Sequence, residues 1–321
     1  MPWTTTTQPS SNGVDTLHIE CWTPDGPPRA MLQIAHGMVE FIHRYDRFGQ
    51  AMADAGILVV GNDHVGHGAS VRSRDDWGYF ADHDGDRVLL ADLHAIQADM
   101  RRAHPELPTF LLGHSMGSFL VRQYLVTYPD DAFDGVIVMG TATQPKAAVA
   151  LGQWLAELIA KIKGPRYRSS LLTGMALGRN NKPFEPARTP VDWLTRDEAI
   201  VDRYVVDDRN RFQFTASAYA DMFRGMRRMT DPGELAKMDR ATPILIVSGG
   251  DDPVGRMGKA VGTLKKQYDR LGMCDVSTRV YAGARHEILN ELNHEEVTAD
   301  LVAFIDRHVD RGPRYREHIN A

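Results

Sequence analysis

The stretch Phe110-Leu111-Leu112-Gly113-His114-Ser115-Met116-Gly117-Ser118 decides the fold, because an apolar run passes directly into a helical pattern. Residues 110–113 are typical of a buried strand, and Phe119–Tyr128 continues with the spacing of a helix. Glycines on both sides of Ser115 provide the space that a sharp turn between the two elements needs. The sequence therefore predicts a strand, a tight turn and a helix in immediate succession.

The same rhythm of short apolar runs and helical patterns extends from about residue 30 to 142 and returns from about 243 to 309. It predicts an α/β protein with a mostly parallel central sheet flanked by helices. An earlier run, Leu17–Trp22, is expected to pair antiparallel at the edge. The other predicted strands are Met31–Ala35, Ile57–Gly61, Thr109–Gly113, Val136–Met139, Ile244–Ser248 and Ser277–Tyr281.

The rhythm is lost between the two α/β segments, where several helices are joined by Gly- and Pro-containing loops. This predicts a helical cap, residues 143–240, inserted into a core domain formed by 1–142 and 241–321. Two apolar stripes at helical spacing are expected to pack on the main domain, with contact to an acyl chain or a membrane as the alternative. The stripes are Leu151, Trp154, Leu155, Leu158, Ile159 and Ile162, and Tyr219, Met222, Phe223 and Met226.

Composition excludes several classes of protein. The 321 residues are 43% hydrophobic with a net charge of −5, and scattered Lys and Arg form no basic face for nucleic acid. A targeting peptide and an apolar run of the roughly 20 residues that cross a bilayer are not visible, which predicts a cytoplasmic protein. Cys21 and Cys274 are too far apart in sequence to suggest a disulfide framework or zinc site, and both are expected to be buried thiols.

Ser115 is the candidate nucleophile. It lies in a G-x-S-x-G pattern between a strand and a helix, at a helix N-terminus where free N–H groups favour developing negative charge. Two N–H groups are expected to stabilise an oxyanion, one from Met116 and one from Met38 in the loop after strand Met31–Ala35. The alternative is that His36-Gly37 forms only a turn.

A serine nucleophile needs a base, and the base needs a carboxylate. Chain order in a fold of this kind places the acid after the serine and the histidine last. Asp252 is the preferred acid, with Asp251 as its neighbour in the same turn, and His286 lies on the loop after the last strand. His294 is the nearest rival base, but it begins a helical pattern.

The segment Asn62-Asp63-His64-Val65-Gly66-His67-Gly68 raises the question of a metal site. Its glycines favour a tight loop after a strand, so no metal is predicted there.

With these residues in place, the sequence resembles the monoacylglycerol lipase and lysophospholipase branch of the α/β-hydrolases, of the serine aminopeptidase S33 type, over nearly the whole chain. The resemblance implies an α/β-hydrolase fold, a cap over an acyl-binding tunnel, hydrolysis through an acyl-enzyme and no cofactor. It also implies substrate-binding roles for Gly37, Glu40, Arg44 and His114. The matching segments are His36-Gly37-x-x-Glu40 with Arg44-Tyr45, Asp63-His64-x-Gly66-His67-Gly68, and Gly113-His114-Ser115-Met116-Gly117.

Two positions and one segment depart from the pattern of that branch. Phe41 stands where His is usual, Val65 replaces the common Arg, and residues 207–212 replace a D-P-x-C-G-F segment of the cap. These changes leave the chemistry intact and the substrate open. Arg209 and Arg211 in the last segment are expected to be solvated, with contact to a charged substrate group as the alternative.

The expected function is that of a serine hydrolase acting on a small acyl ester, of the monoacylglycerol or lysophospholipid type. The alternatives are a peptidase or amidase, a small-ester carboxylesterase, or a binding protein that kept the fold without catalysis. Transient membrane or micelle contact through the cap is a further hypothesis. Acyl length, head group and oligomeric state are not encoded in any pattern that the sequence shows.

Overall fold

A computed structural model describes residues 3–309 as a mixed sheet enclosed by helices. The described residues form eight strands in the order β1-β2-β4-β3-β5-β6-β7-β8. Strand β2 pairs antiparallel with β1 and β4, and all the other pairings are parallel. The strands are β1 Trp3–Pro9, β2 Thr16–Trp22, β3 Ala30–Ala35, β4 Ile57–Asn62, β5 Thr109–His114, β6 Gly135–Met139, β7 Ile244–Gly249 and β8 Val276–Tyr281.

Ten α-helices accompany this sheet in the described residues. Five of them, α4 to α8, lie between β6 and β7 in the chain, where the cap is predicted. The helices are α1 Asp46–Asp54, α2 Gly85–Ala103, α3 Met116–Thr127, α4 Lys146–Lys163, α5 Ser170–Leu177, α6 Glu198–Val206, α7 Ala216–Arg228, α8 Pro232–Leu235, α9 Lys259–Leu271 and α10 His294–Val309.

The core lies on both faces of the sheet. Phe110 and Leu112 of β5 pack in one apolar cluster, and Leu111 between them packs in the other. Alternate side chains of a strand point to opposite faces, so a strand covered on both sides is apolar throughout. The carboxyl ends of β3, β5, β7 and β8 carry the loops of all the predicted catalytic residues.

The seven predicted strands correspond to β2 to β8, but β1 was not predicted. Four consecutive threonines of β1 are exposed, so the strand shows no alternation between apolar and polar residues. Strand β2 is antiparallel as predicted, although β1 and not β2 forms the edge. The expectation that both cysteines are buried is wrong. Cys274 is exposed in the turn between α9 and β8, and Cys21 is half-buried.

The expectation that both cap stripes pack on the main domain is confirmed for α7, which packs on α2 and α3, and is wrong for part of α4. On α4, Leu155 and Ile159 are packed, but Leu151 and Trp154 are each 58% exposed and Ile162 is 66% exposed. The buried face of α4 instead carries the small residues Gly152 and Ala156, because α7 packs closely against it. On α7, Met222, Phe223 and Met226 line a large cavity.

The division of the chain into a core domain and a cap at residues 143–240 stays a prediction. None of the helices between residues 3 and 309 combines the length and apolar character needed to span a bilayer.

Candidate active site

Ser115 occupies a strained turn between β5 and α3. Its φ of 53° and ψ of −117° lie in a region that residues with side chains rarely adopt. The Ser115 N–H donates to the carbonyl of Met139 at 3.0 Å, which holds the turn against β6. A Cβ on Gly117 would overlap the carbonyl of Ala35, and one on Gly113 would overlap the carbonyl of Gly117. The two glycines of the motif are therefore required by close backbone contacts.

Asp252 and His286 form a buried hydrogen-bonded pair. The Oδ1 atom of Asp252 lies 2.9 Å from Nδ1 of His286. Asp252 also accepts from the Ser248 hydroxyl at 3.1 Å and the Val254 N–H at 2.9 Å. Burial opposes ionisation of Asp252, but His286 and hydrogen bonds from the Gly255 N–H and the Ser248 hydroxyl outweigh it, so the pKa of this carboxyl lies below its usual value. Of the two candidate acids, Asp252 contacts His286, whereas Asp251 is a half-buried turn residue.

Ser115 and His286 line one cavity. Within residues 3–309 no hydrogen bond joins the Ser115 hydroxyl to the His286 ring. Such contacts are frequently long before a substrate binds and tighten in the reacting complex. The structure thus brings the predicted nucleophile and base to a common surface, without a hydrogen bond between their side chains in the described residues.

Met38 and Met116, whose N–H groups are the predicted oxyanion donors, also line this cavity. Met116 is the first residue of α3, where a helical N–H has no partner within the helix. The loop of Met38 is held by Glu40, whose Oε1 accepts from the Gly37 N–H. The oxyanion role of the two N–H groups stays a prediction.

Behind the cavity wall, Glu40 is buried in a network of donors. It accepts from the Tyr45 hydroxyl at 3.0 Å, lies 3.1 Å from Nδ1 of His114, and pairs with Arg44 at 3.0 Å. Arg44 also binds Glu287 through two hydrogen bonds of 2.7 and 2.6 Å. Burial opposes the charge of Glu40, but His114 and Arg44 outweigh it and hold the Glu40 pKa far below its usual range.

The four residues with predicted substrate-binding roles therefore occupy different positions. Glu40 and His114 reach the cavity wall. Arg44 is engaged by two carboxylates, and the Gly37 N–H is engaged by Glu40. The geometry favours a positioning role for Arg44 and Gly37 over direct contact with substrate.

Three residues of the site were not predicted: Glu287, Trp193 and Tyr204. The Trp193 ring lies 5.0 Å from the His286 ring between centroids, and its carbonyl accepts from the His286 N–H at 3.4 Å. The Tyr204 hydroxyl donates to the carbonyl of Val39 at 2.9 Å. Glu287 directly follows the predicted base and could have been noticed. Trp193 and Tyr204 lie in the inserted segment, where the sequence gives no such signal.

The cavity measures about 570 Å³ and is lined mainly by apolar side chains of the helices between β6 and β7 and of α3. This volume lies within the usual range for small-molecule sites. Arg209 and Arg211 do not line it. They lie near their own neighbours Asp207 and Asp208, at 2.7 and 3.7 Å, as expected for solvated residues.

The histidines of the loop after β4 pack against one another and against His36. The His64 N–H donates to Nε2 of His36 at 3.0 Å, and the two rings lie 4.1 Å apart. Burial lowers the pKa of His64 to about 4 and that of His67 to about 3, so both are neutral at pH 7. Across residues 3–309 no three His, Cys, Asp or Glu side chains are grouped as metal ligands would be.

A mostly parallel sheet with a strained serine turn at its carboxyl edge, facing an Asp–His pair across an apolar cavity, defines an α/β-hydrolase. The profile of the serine aminopeptidase S33 family matches residues 26–293. This chain belongs to that family.

Relatives and solved structures of the same fold agree with this. A monoacylglycerol lipase of Mycolicibacterium smegmatis is 29% identical, covering 95% of this chain and 99% of the relative. A monoglyceride lipase of Mus musculus is 26% identical, covering 89% and 84%. The crystal structure of a thermostable carboxyl esterase from Bacillus coagulans, bound to glycerol, is 27% identical with a TM-score of 0.89, covering 96% and 99%. The predicted fold and the resemblance to the monoacylglycerol lipase branch are confirmed.

Proposed function

We propose that this protein is a serine hydrolase that cleaves carboxylic esters of single-chain lipids, of the monoacylglycerol or lysophospholipid type. The observation that carries the proposal is the buried Asp252–His286 pair, which faces the same apolar cavity as the strained Ser115. A carboxylate that fixes the imidazole and a serine at a helix N-terminus are what acyl transfer requires.

In the proposed reaction, the Ser115 hydroxyl attacks the ester carbonyl while its proton moves to Nε2 of His286. Asp252 accepts from Nδ1 and stabilises the charged imidazole. The Met38 and Met116 N–H groups hold the negative oxygen of the tetrahedral intermediate. The intermediate collapses as His286 donates its proton to the leaving alcohol. Water then attacks the acyl-enzyme by the same route, which releases a carboxylic acid and restores Ser115.

The cavity wall supports a lipid acyl chain as the group that is bound. Phe119, Val149, Met222 and Phe223 line it, and hydrocarbon gains free energy when it moves from water to such a surface. The relatives named as monoacylglycerol and monoglyceride lipases support the same class of substrate.

The family name favours an aminopeptidase as a second candidate. Such an enzyme must bind the ammonium group of a peptide, which calls for an unpaired carboxylate at the site. Glu40 and Glu287 are the acidic residues of the described cavity lining, and Arg44 pairs with both. The charges of the site therefore favour an ester with a neutral or polar alcohol over a peptide with a free N-terminus.

The test combines Ser115→Ala with Ser277→Ala as a control. The control variant also removes one serine hydroxyl. The buried Oγ of Ser277 has no hydrogen-bond partner within the described residues. The wild type and Ser277→Ala should hydrolyse p-nitrophenyl butyrate and, on treatment with a fluorophosphonate, gain the mass of one phosphonyl group as HF is released. Ser115→Ala should do neither, with turnover reduced by several orders of magnitude. Labelling or turnover that survives in a folded Ser115→Ala protein would refute the nucleophile.

A substrate panel then tests the substrate class. Monoacylglycerols, lysophospholipids, short esters and an aminoacyl anilide should be compared by kcat/KM. We expect single-chain lipid esters to exceed the anilide. A preference for the anilide would establish the aminopeptidase instead.

A further inference from the structure

A second hollow of about 590 Å³, here called the cationic groove, lies between α3, the loop after β6, the end of α7 with α8, and α9. The charged residues of its described lining are Arg122, Lys146, Arg256 and Arg270, and the lining contains no Asp or Glu. Like charges gathered around one hollow repel one another and attract an anion. The groove is separate from the catalytic residues, since Ser115 and His286 do not line it.

Arg122 is the buried member of this set, with only 2% of its surface exposed. Its Nη1 donates to the Thr141 hydroxyl and to the carbonyl of Ala142, each at 3.1 Å, and the Tyr268 hydroxyl lies beside it. Within residues 3–309 no carboxylate pairs with this guanidinium, and its Nε–H is buried without a hydrogen-bond partner. A buried cation without an opposite charge is costly, and buried donors are normally satisfied.

Thr143, which lines the same groove as Arg122, also has a buried polar atom without a hydrogen-bond partner in the described residues. Its Oγ1 is buried and has no partner among the described atoms, although a hydroxyl can both donate and accept. Two unsatisfied polar atoms thus belong to residues that line one hollow. Both atoms are shielded from water, so Arg122 acts on an anion in the groove chiefly through its positive charge.

The other three cations are exposed and, within the described part of the chain, form no ion pair. By contrast, Lys265 on the same helix as Arg270 binds Asp269 at 2.8 Å. Asp231 and Glu234 line a neighbouring hollow that shares Lys146, so that residue also faces acidic groups. Arg256 and Arg270 are therefore the rim residues whose charge is most available to a ligand.

The remaining lining of the groove is largely apolar. Val149, Met229, Leu235 and Leu271 contribute to it, and Val149 also lines the catalytic cavity. An inorganic anion would leave this surface in contact with water, whereas an aliphatic tail would cover it.

We propose that the cationic groove binds the anionic head group of a single-chain amphiphile, a carboxylate or a phosphate monoester. The head group lies beside Arg122 and Thr143 and between Arg256 and Arg270, and the tail covers the apolar lining. Binding at this site does not depend on turnover at Ser115, so the proposed ester hydrolysis and this site can fail independently.

The test measures thermal unfolding of the full chain with octanoate, octyl phosphate, inorganic phosphate or neutral octanol. A ligand at about 100 times its Kd should raise the unfolding midpoint of a chain of this size by about 4 °C. We expect this rise with octanoate and octyl phosphate in the wild type. The double variant Arg256→Gln/Arg270→Gln should lose it. Lys259→Gln/Lys266→Gln, which removes two exposed charges from α9 outside the groove, should keep it.

Arg122→Gln provides a second measurement. Its midpoint without ligand serves as its own baseline, because the variant loses both a buried charge without a counter-charge and the hydrogen bonds to Thr141 and Ala142. Its response to octanoate should be lost. If this variant fails to fold, the rim variants decide the question.

Three outcomes would overturn the proposal. An equal rise with octanol would assign the effect to the apolar catalytic cavity. Equal rises in both double variants would show that the effect does not depend on Arg256 and Arg270. If inorganic phosphate raised the midpoint as much as octyl phosphate does, the tail would contribute nothing to binding, and the groove would be a site for a free oxoanion.

Discussion

The attachment of α7 to α2 should depend on pH through Asp221. This carboxylate on α7 is 3% exposed, receives the Gly85 N–H at the start of α2, and pairs with Arg224 at 2.7 Å. Burial disfavours its charged form, and the nearby Asp86 adds to this, so the pKa of Asp221 is raised to about 7. Arg224 opposes the shift without cancelling it.

The sign follows from proton uptake. A carboxyl with a pKa of about 7 in the folded chain and its usual 3.8 in the unfolded chain binds a proton on folding between those values. Its contribution to stability therefore falls as the pH rises through that window. From pH 5 to pH 8 the loss is about 2.5 kcal/mol for this group alone, or about 4 °C in the unfolding midpoint of a chain of this length.

The perturbation is Asp221→Asn, which keeps an oxygen for the Gly85 N–H and removes the titration. The unfolding midpoint is measured at pH 5 and at pH 8. Its fall between the two pH values should be about 4 °C smaller in the variant than in the wild type, and the contributions of other titrating groups cancel in this comparison. Asp84→Asn is the matched control, because Asp84 faces the same Arg224 at 3.6 Å but is 65% exposed. Parallel behaviour of the wild type and Asp221→Asn would refute the reasoning.

Three further outcomes test the site and the helices around it. Asp252→Asn should lower kcat/KM on a short ester by about 10³–10⁴-fold, because His286 loses its carboxylate, whereas Asp251→Asn should stay near wild type; equal losses would contradict the assignment. Leu151→Ser/Trp154→Ser should reduce co-sedimentation with phosphatidylcholine vesicles without changing hydrolysis of a monomeric ester, and unchanged sedimentation would exclude lipid contact through α4. Phe223→Ala should raise the ratio of long-chain to short-chain ester turnover, since its ring lines the cavity; an unchanged ratio would place the acyl chain elsewhere.

The fold could be predicted where burial is complete. Strands β3 to β7 are wholly buried and mostly apolar because helices cover both faces of the sheet, and such mostly apolar runs are visible in sequence. Strand β1 escapes the same analysis because its side chains are exposed and carry no periodic signal. The apolar stripe of α4 was visible, but periodicity alone does not say whether a stripe faces a core, a cavity or water.

The same limit applies to the site. Ser115, Asp252 and His286 could be proposed because each follows a strand in a local pattern. Arg44 and Glu287 are far apart in the chain, and only the folded structure shows that they meet. Trp193 reaches His286 from an inserted segment whose path the sequence does not reveal.

One guanidinium, that of Arg44, joins the segment beginning at Gly37 to the segment ending at Glu287. Heat or denaturant that frees one segment alone breaks the Arg44–Glu287 pair and leaves a buried charge without its partner, so partial loosening is unfavourable. Loss of turnover on warming should accordingly coincide with loss of ester binding, without an intervening state that still captures the ester but cannot cleave it.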